Sequence, residues 1–168
     1  MKTLFRLLCI ICLLALSTLT VADSHDLIMT SSDWSVEASQ AKVAGIPIMV
    51  IFSTDHCPYC VRLREEVLKP LLRNGALKGK VLMREFNIDD GGKITDFDGE
   101  RVRAGIFVSR YSIYATPTVV LVDHHGKPLT EPIVGFNGAD SYTRFLDEAI
   151  SSAVMSLASL NLPRLAGF

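Results

Sequence analysis

Between Ile46 and Asp89 the chain reads as strand, helix, strand, and this order constrains the fold more than any other feature of the sequence. The run IPIMVIF (Ile46 to Phe52) is continuously apolar and rich in β-branched residues, the pattern of a strand buried on both faces. Pro47 sits at its start, where a missing N–H does least harm. From Pro58 a helix is predicted to about Leu68, with Arg62, Arg64, Glu65 and Glu66 on its wet side. Pro70 breaks or kinks it, and a short helical piece leads to a turn at Asn74-Gly75. KVLMREFNID (Lys80 to Asp89) is the second strand. A strand, a crossover helix and a strand at this spacing place the two strands parallel.

The flanking segments extend this unit. Ser31 to Gly45 reads as a helix, capped by Ser32 or Asp33 and ended by Gly45. Asp90 to Glu100 is a loop rich in glycine and aspartate, with room for a small hairpin. Glu100 to Ile113 reads as a helix with Val102, Ile106 and Ser109 on one side. Thr116 to Asp123 and Lys127 to Phe136 flank HHG and are expected to form an antiparallel hairpin. Asp140 to Leu160 is an amphipathic helix whose apolar face is Tyr142, Phe145, Leu146, Ala149 and Ile150. The fold class is therefore α/β. A central mixed sheet of about four to five strands, with helices on both faces, buries all of these elements.

The first 22 residues are expected to be a secretory signal peptide (1–22). Lys2 and Arg6 form a positive start, Leu7 to Leu16 an apolar stretch, and Thr20 to Ala22 a site for cleavage. An uncleaved anchor is the competing reading, but the apolar stretch is short against the roughly 20 residues that span a bilayer. One domain then occupies 23–160, and the tail 161–168 carries no clear signal. The whole chain is 49% apolar and 21% charged, which suits a globular core. Its net charge of −1 suggests neither a nucleic-acid partner nor an anionic membrane surface. The expected location is periplasmic or secreted.

Four cysteines form two C-x-x-C pairs. Cys9 and Cys12 lie in the apolar stretch and leave with it. Cys57 and Cys60 remain, in an oxidising compartment where disulfide chemistry is natural. Cys57 falls at the helix N-terminus, where unpaired N–H groups and the helix dipole favour a thiolate and pull its pKa below the free value of about 8.5. Pro58 suits the first turn because it has no N–H to leave unpaired. Cys57 is expected to be open to solvent and Cys60, further in, to be covered. That asymmetry suits a pair in which Cys57 attacks a disulfide and Cys60 resolves the mixed disulfide. His56 either adds positive charge near the sulfur or is an ordinary loop histidine. Two other uses of the pair stay open on these residues. A static bridge closing so small a loop would remove little chain entropy. A metal site would need further ligands, and His124 and His125 lie in a hairpin turn roughly 20 Å from Pro117 along the strand. Neither a metal nor a cofactor is implied.

Three segments together carry a family resemblance. CPYC (Cys57 to Cys60) follows the first core strand, YSIYATPTVVLV spans Tyr111 to Val122, and IVGFNGADSYTRFLDEAI spans Ile133 to Ile150. With these, the chain from about Asp33 to Ile150 resembles the thioredoxin-fold proteins, of the exported thioredoxin-related kind. The resemblance implies a redox-active Cys57–Cys60 disulfide and a cis Thr116–Pro117 bond lying against Cys57. Thr116 would offer its backbone to an extended substrate, and Pro117 would keep metals from the sulfurs. The chain departs from the family in places. Where thioredoxins carry a buried aspartate this chain has Ile51, so Glu85 on the neighbouring strand becomes the candidate proton acceptor for Cys60. The Pro58-Tyr59 dipeptide resembles glutaredoxins and some exported disulfide isomerases. The long helical insertion of the main periplasmic oxidase type and the N-terminal dimerisation module of exported isomerases are both missing, which favours a reductase, and a monomer is expected. The implied activity is an exported thiol–disulfide oxidoreductase, a reductase in direction. Its partners would be protein disulfide or dithiol substrates, with a membrane or periplasmic redox partner to reset the pair. A glutaredoxin-like enzyme using glutathione and a non-catalytic binding module on the same fold are the alternatives.

Overall fold

The computed structural model describes residues 28–161. The segment read as a signal peptide (1–22) and the tail beyond residue 161 lie outside the described residues.

Helix α1 (Trp34–Ala44) starts at Asp33, whose carboxylate accepts the N–H groups of Ser35 and Val36, and ends at Gly45 with φ 65°. Strand β1 (Ile48–Ser53) is buried along its whole length. Its side chains alternate between two cores, as strand geometry requires. Met49 and Ile51 pack with Leu63, Val67 and Leu68 on one face. Ile48, Val50 and Phe52 pack with Trp34 and Phe107 on the other. Strand β2 (Leu82–Asn87) pairs parallel to β1, with Ile51 beside Glu85. Strands β3 (Lys93–Thr95) and β4 (Arg101–Arg103) form a separate small hairpin. Further along the chain β5 (Thr118–Val122) runs antiparallel to β1, and β6 (Ile133–Val134) closes the sheet in the order β2-β1-β5-β6. The result is the expected mixed sheet, four-stranded and flanked by helices on both faces.

The helix after Cys57 bends the expected rule at Pro70. It runs as α2 (Pro58–Leu63), a π-helical turn (Arg64–Leu68) and α3 (Lys69–Arg73) without stopping. In that turn the Lys69 N–H donates to the Arg64 carbonyl, one residue further back than in an α-helix. Widening the helix here makes room for a proline ring that would otherwise meet a carbonyl of the preceding turn. Arg64, expected on the wet side, is half-buried.

Three further expectations are corrected. The helix read over 100–113 is shorter: α4 spans Ala104–Arg110, and Val102 belongs to β4. Its buried face is Ala104, Phe107 and then Tyr111, while Ile106 is 47% exposed. Phe107 decides the orientation because its ring lies 5.0 Å from Trp34, 5.1 Å from Phe86 and 5.5 Å from Tyr111. The second hairpin strand, read over 127–136, pairs at Leu129, leaves the ladder through Thr130–Pro132 and rejoins only as β6. Pro132 has no N–H for a ladder, so the chain bulges at the sheet edge. In helix α5 (Ala139–Asn161) the inward residues are Tyr142, Leu146, Ile150, Ala153 and Leu157. Phe145 instead lies 43% exposed under the Arg144 guanidinium. Among the described residues no helix is long and apolar enough to cross a membrane.

The β3–β4 hairpin is tied to α4 by an ion pair between Asp96 and Arg110. Burial works against the charge on Asp96, but hydrogen bonds from Arg110 and from the Phe97 N–H outweigh it and hold its pKa below the ordinary aspartate value. A depressed carboxylate stabilises the fold above its unfolded pKa, about 3.9, and that contribution is lost as pH falls through the folded value. Asp96→Asn is therefore expected to lower Tm clearly at pH 7, with the gap to wild type closing towards pH 3. An equal gap at both values would sink this account.

Candidate active site

Parallel β1 and β2 end at the same edge of the sheet, and antiparallel β5 begins there. Three loops therefore meet at one rim: Thr54–Cys57 after β1, Ile88–Asp90 after β2, and Thr116–Pro117 before β5. Cys57 occupies the cap position of α2 with an extended backbone (φ −110°, ψ 96°), and Pro58 opens the first turn. The Cys60 N–H donates to the Cys57 sulfur at 3.0 Å, while the Cys57 carbonyl accepts from Cys60 and Val61. A sulfur in this position takes the place of a capping oxygen and stands where partial positive charge gathers. Cys57 and Cys60 are joined in a disulfide with Cα atoms 5.2 Å apart.

Exposure corrects one expectation. Cys57 is 8% exposed and Cys60 2%, so both are buried and the contrast between them is small. What is open around the pair is Tyr59 (55% exposed), Val61 (49%) and the turn residues Asp55 and His56.

The Thr116–Pro117 bond is cis. Phe52 pairs with Thr118, which puts Pro117 at the level of Ser53 and Thr116 near Thr54. The two threonine hydroxyls are 3.2 Å apart, and the Pro117 carbonyl accepts the Gly135 N–H at 2.8 Å. Glu85 lies on the α2 side of the sheet beside Ile51, but its carboxylate is engaged. Its Oε1 accepts Nε and Nη2 of Arg64 at 3.1 and 2.8 Å. The turned-in Arg64 is thus the partner the sequence did not reveal. Both groups border a polar cleft of about 420 Å³ behind the cysteine loop, lined also by Ser53, Thr54, Asp55 and Asn87.

A strap on that loop also escaped the sequence reading. The Asp55 N–H donates to Asp89, and Asp55 Oδ1 accepts from Asn87 at 2.6 Å. The cysteine loop is thereby held on one side to the end of β2 and on the other to Thr116. Parallel strands were the available signal, since their ends must share a rim. His124 and His125 lie beyond β5 at the opposite end of that strand from Pro117, with rings 4.1 Å apart. Burial and then the neighbouring His125 hold the His124 pKa below the ordinary histidine value.

The model of the thioredoxin-like domain family matches residues 34–150 of the chain. No curated protein matches it. Among solved structures, a thioredoxin-fold protein from Helicobacter pylori is 17% identical with a TM-score of 0.47, covering 70% of this chain and 87% of its own. A chain solved in work on thiol resolution in yeast mitochondrial 1-Cys peroxiredoxin via glutathione/thioredoxin systems is 15% identical with a TM-score of 0.50, covering 74% and 94%. At these identities the likeness is one of fold.

Proposed function

We propose that this chain, which belongs to the thioredoxin-like domain family, is an exported thiol–disulfide oxidoreductase that reduces protein disulfides. The observation that carries the reading is the cysteine pair itself, with a helix-capping Cys57 sulfur bonded to Cys60 one turn inside. In the dithiol form, the Cys57 thiolate attacks one sulfur of a substrate disulfide. A mixed disulfide forms, and the other substrate sulfur leaves as a thiolate and takes up a proton. The Cys60 thiolate then attacks the Cys57 sulfur. The substrate departs as a dithiol carrying the two electrons the enzyme has given up, and the enzyme is left as the Cys57–Cys60 disulfide. A membrane or periplasmic dithiol partner resets the pair.

The reductase direction is supported by the short passage from α3, which ends at Arg73, to β2, which begins at Leu82 and leaves no space for a helical insertion. Export rests on the pattern of residues 1–22. One preparation tests the whole reading. Protein recovered from the exported fraction is expected to begin at Asp23 and to speed insulin reduction by dithiothreitol well beyond Cys57→Ser. A wild type no faster than that variant removes the activity, and an N-terminus at Met1 removes the cleavage.

A further inference from the structure

We propose that Asn87 is a positioning residue that holds the Asp55 carboxylate at the N-terminal end of the cysteine helix, where it opposes the Cys57 thiolate and biases the pair towards giving up its electrons. The proposal rests on the oxidoreductase reading for its reaction, and it gives the reductase direction a cause in named residues. Asn87 ends β2 and spends its whole amide on the rim. Its Nδ2 donates to Asp55 Oδ1 at 2.6 Å and to Asp90 Oδ1 at 3.2 Å, and its Oδ1 accepts the Asp89 N–H at 3.1 Å. Asp89 in turn accepts the Asp55 N–H at 2.9 Å. Asp55 is thus gripped by backbone and side chain, although it is exposed in a turn. A neutral amide used in this way gathers carboxylates without cancelling their charge.

The other charges around the cysteine helix leave a negative excess at that end. Arg62 is paired with Glu66, Arg64 with Glu85, and Lys69 with Glu65. Asp55, Asp89 and Asp90 have no ion-pair partner among the described residues. The remaining ionisable neighbours of the pair along the chain are His56 and Tyr59.

Position makes the two anions rivals. Cys57 caps α2, and Asp55 lies two residues before it, a reach of at most roughly 7 Å. Partial positive charge at a helix start stabilises an anion placed there. In the dithiol form the Cys57 thiolate and Asp55 share that charge and repel each other. Oxidation ends the repulsion. The Cys57 thiolate and the Cys60 thiol give two electrons to a substrate disulfide, the Cys57–Cys60 bond forms, and the Cys60 proton leaves with one substrate sulfur. The Asp55 charge therefore disfavours the dithiol against the disulfide and makes the pair the stronger reductant.

Asp55→Asn removes the charge and keeps an oxygen for the Asn87 amide, so the loop stays strapped. Each protein is equilibrated with glutathione and its disulfide at pH 8 and low salt, where the reduced pair carries its thiolate, and alkylation with mass spectrometry reads the dithiol-to-disulfide ratio. Asp55→Asn is expected to raise that ratio about three-fold, the effect of one unit charge roughly 7 Å away in a water-like dielectric. The thiolate absorbance of the reduced variant is expected to appear at lower pH than in the wild type. Both differences are expected to close in about 1 M salt, where screening acts over roughly 3 Å. Asn87→Ala keeps the charge but frees it to swing into water, and is expected to raise the ratio by less. A merely loosened helix cap would lower the ratio instead, because it would leave the thiolate less stable. An unchanged ratio in either variant, a shift towards the disulfide, or a shift that salt leaves intact overturns the proposal. Insulin reduction judges the oxidoreductase reading separately, because a pair inert towards insulin still equilibrates with glutathione.

Discussion

Cys60→Ser is expected to turn a catalyst into a trap. With Cys60 gone, nothing attacks the mixed disulfide formed at Cys57, so a covalent adduct with a protein disulfide substrate accumulates and turnover falls to the background rate. Cys57→Ser is expected to lose turnover as completely and to trap nothing. The roles follow from position. Cys57 caps α2 and receives the Cys60 N–H, whereas Cys60 sits one turn inside. Stabilisation by unpaired N–H groups and the dipole acts within the first turn and favours a thiolate at Cys57. In the reduced protein, brief iodoacetamide at pH 6 is therefore expected to label Cys57 and spare Cys60, as read by mass spectrometry. Rapid labelling of Cys60 in the Cys57→Ser variant would reverse the assignment.

Trp34→Ala is expected to cost about 3–5 kcal/mol, the range for deleting a large buried aromatic. That is a large share of a typical domain stability of about 5–15 kcal/mol. Trp34 is fully buried and pins α1 to β2, to the β3–β4 turn and to α4 through Phe86, Phe97 and Phe107, with ring centroids 6.2, 5.6 and 5.0 Å away. Among the described residues its indole N–H has no hydrogen-bond partner. Trp34→Phe keeps a ring and removes an unsatisfied donor, so it is expected to lose much less than the alanine variant. Urea unfolding followed by circular dichroism measures both, since the chain has a single tryptophan and its fluorescence leaves with it. Equal losses in the two variants would show that the packing of the rings is not what holds α1.

Beside Trp34 lies a second device that spans the same helix and sheet. Glu37 on α1 and Arg84 on β2 approach to 2.8 Å with both side chains nearly covered. The Arg84 Nε and the Glu37 oxygen make contact without a well-directed hydrogen bond, while another Arg84 nitrogen donates to the Met83 carbonyl at 2.8 Å. Removing either charge would leave the other buried and alone, which costs more than the pair contributes.

The sequence by itself determined the elements whose signals are local. The apolar run at Ile48–Phe52, Asp33 and Gly45 as helix ends, and Pro58 opening the cysteine helix are each legible because burial periodicity and capping act over a few residues. The cysteine pair could be placed at a strand-to-helix junction for the same reason. Only the tertiary structure decided how those elements face one another. Periodicity gave α4 an apolar side containing Ile106, but the cluster already formed by Trp34, Phe52 and Phe86 had a place for Phe107, and ring packing outweighed the local pattern. Arg64 read as solvent-facing, but the packing of the cysteine helix over β2 brings it onto Glu85. Asp55, Asn87, Asp89, Thr54 and Thr116 lie far apart along the chain, and their bonds exist only because strand order brings three loops to one rim. Such contacts have no local signature, because the geometry that creates them is the register of the sheet.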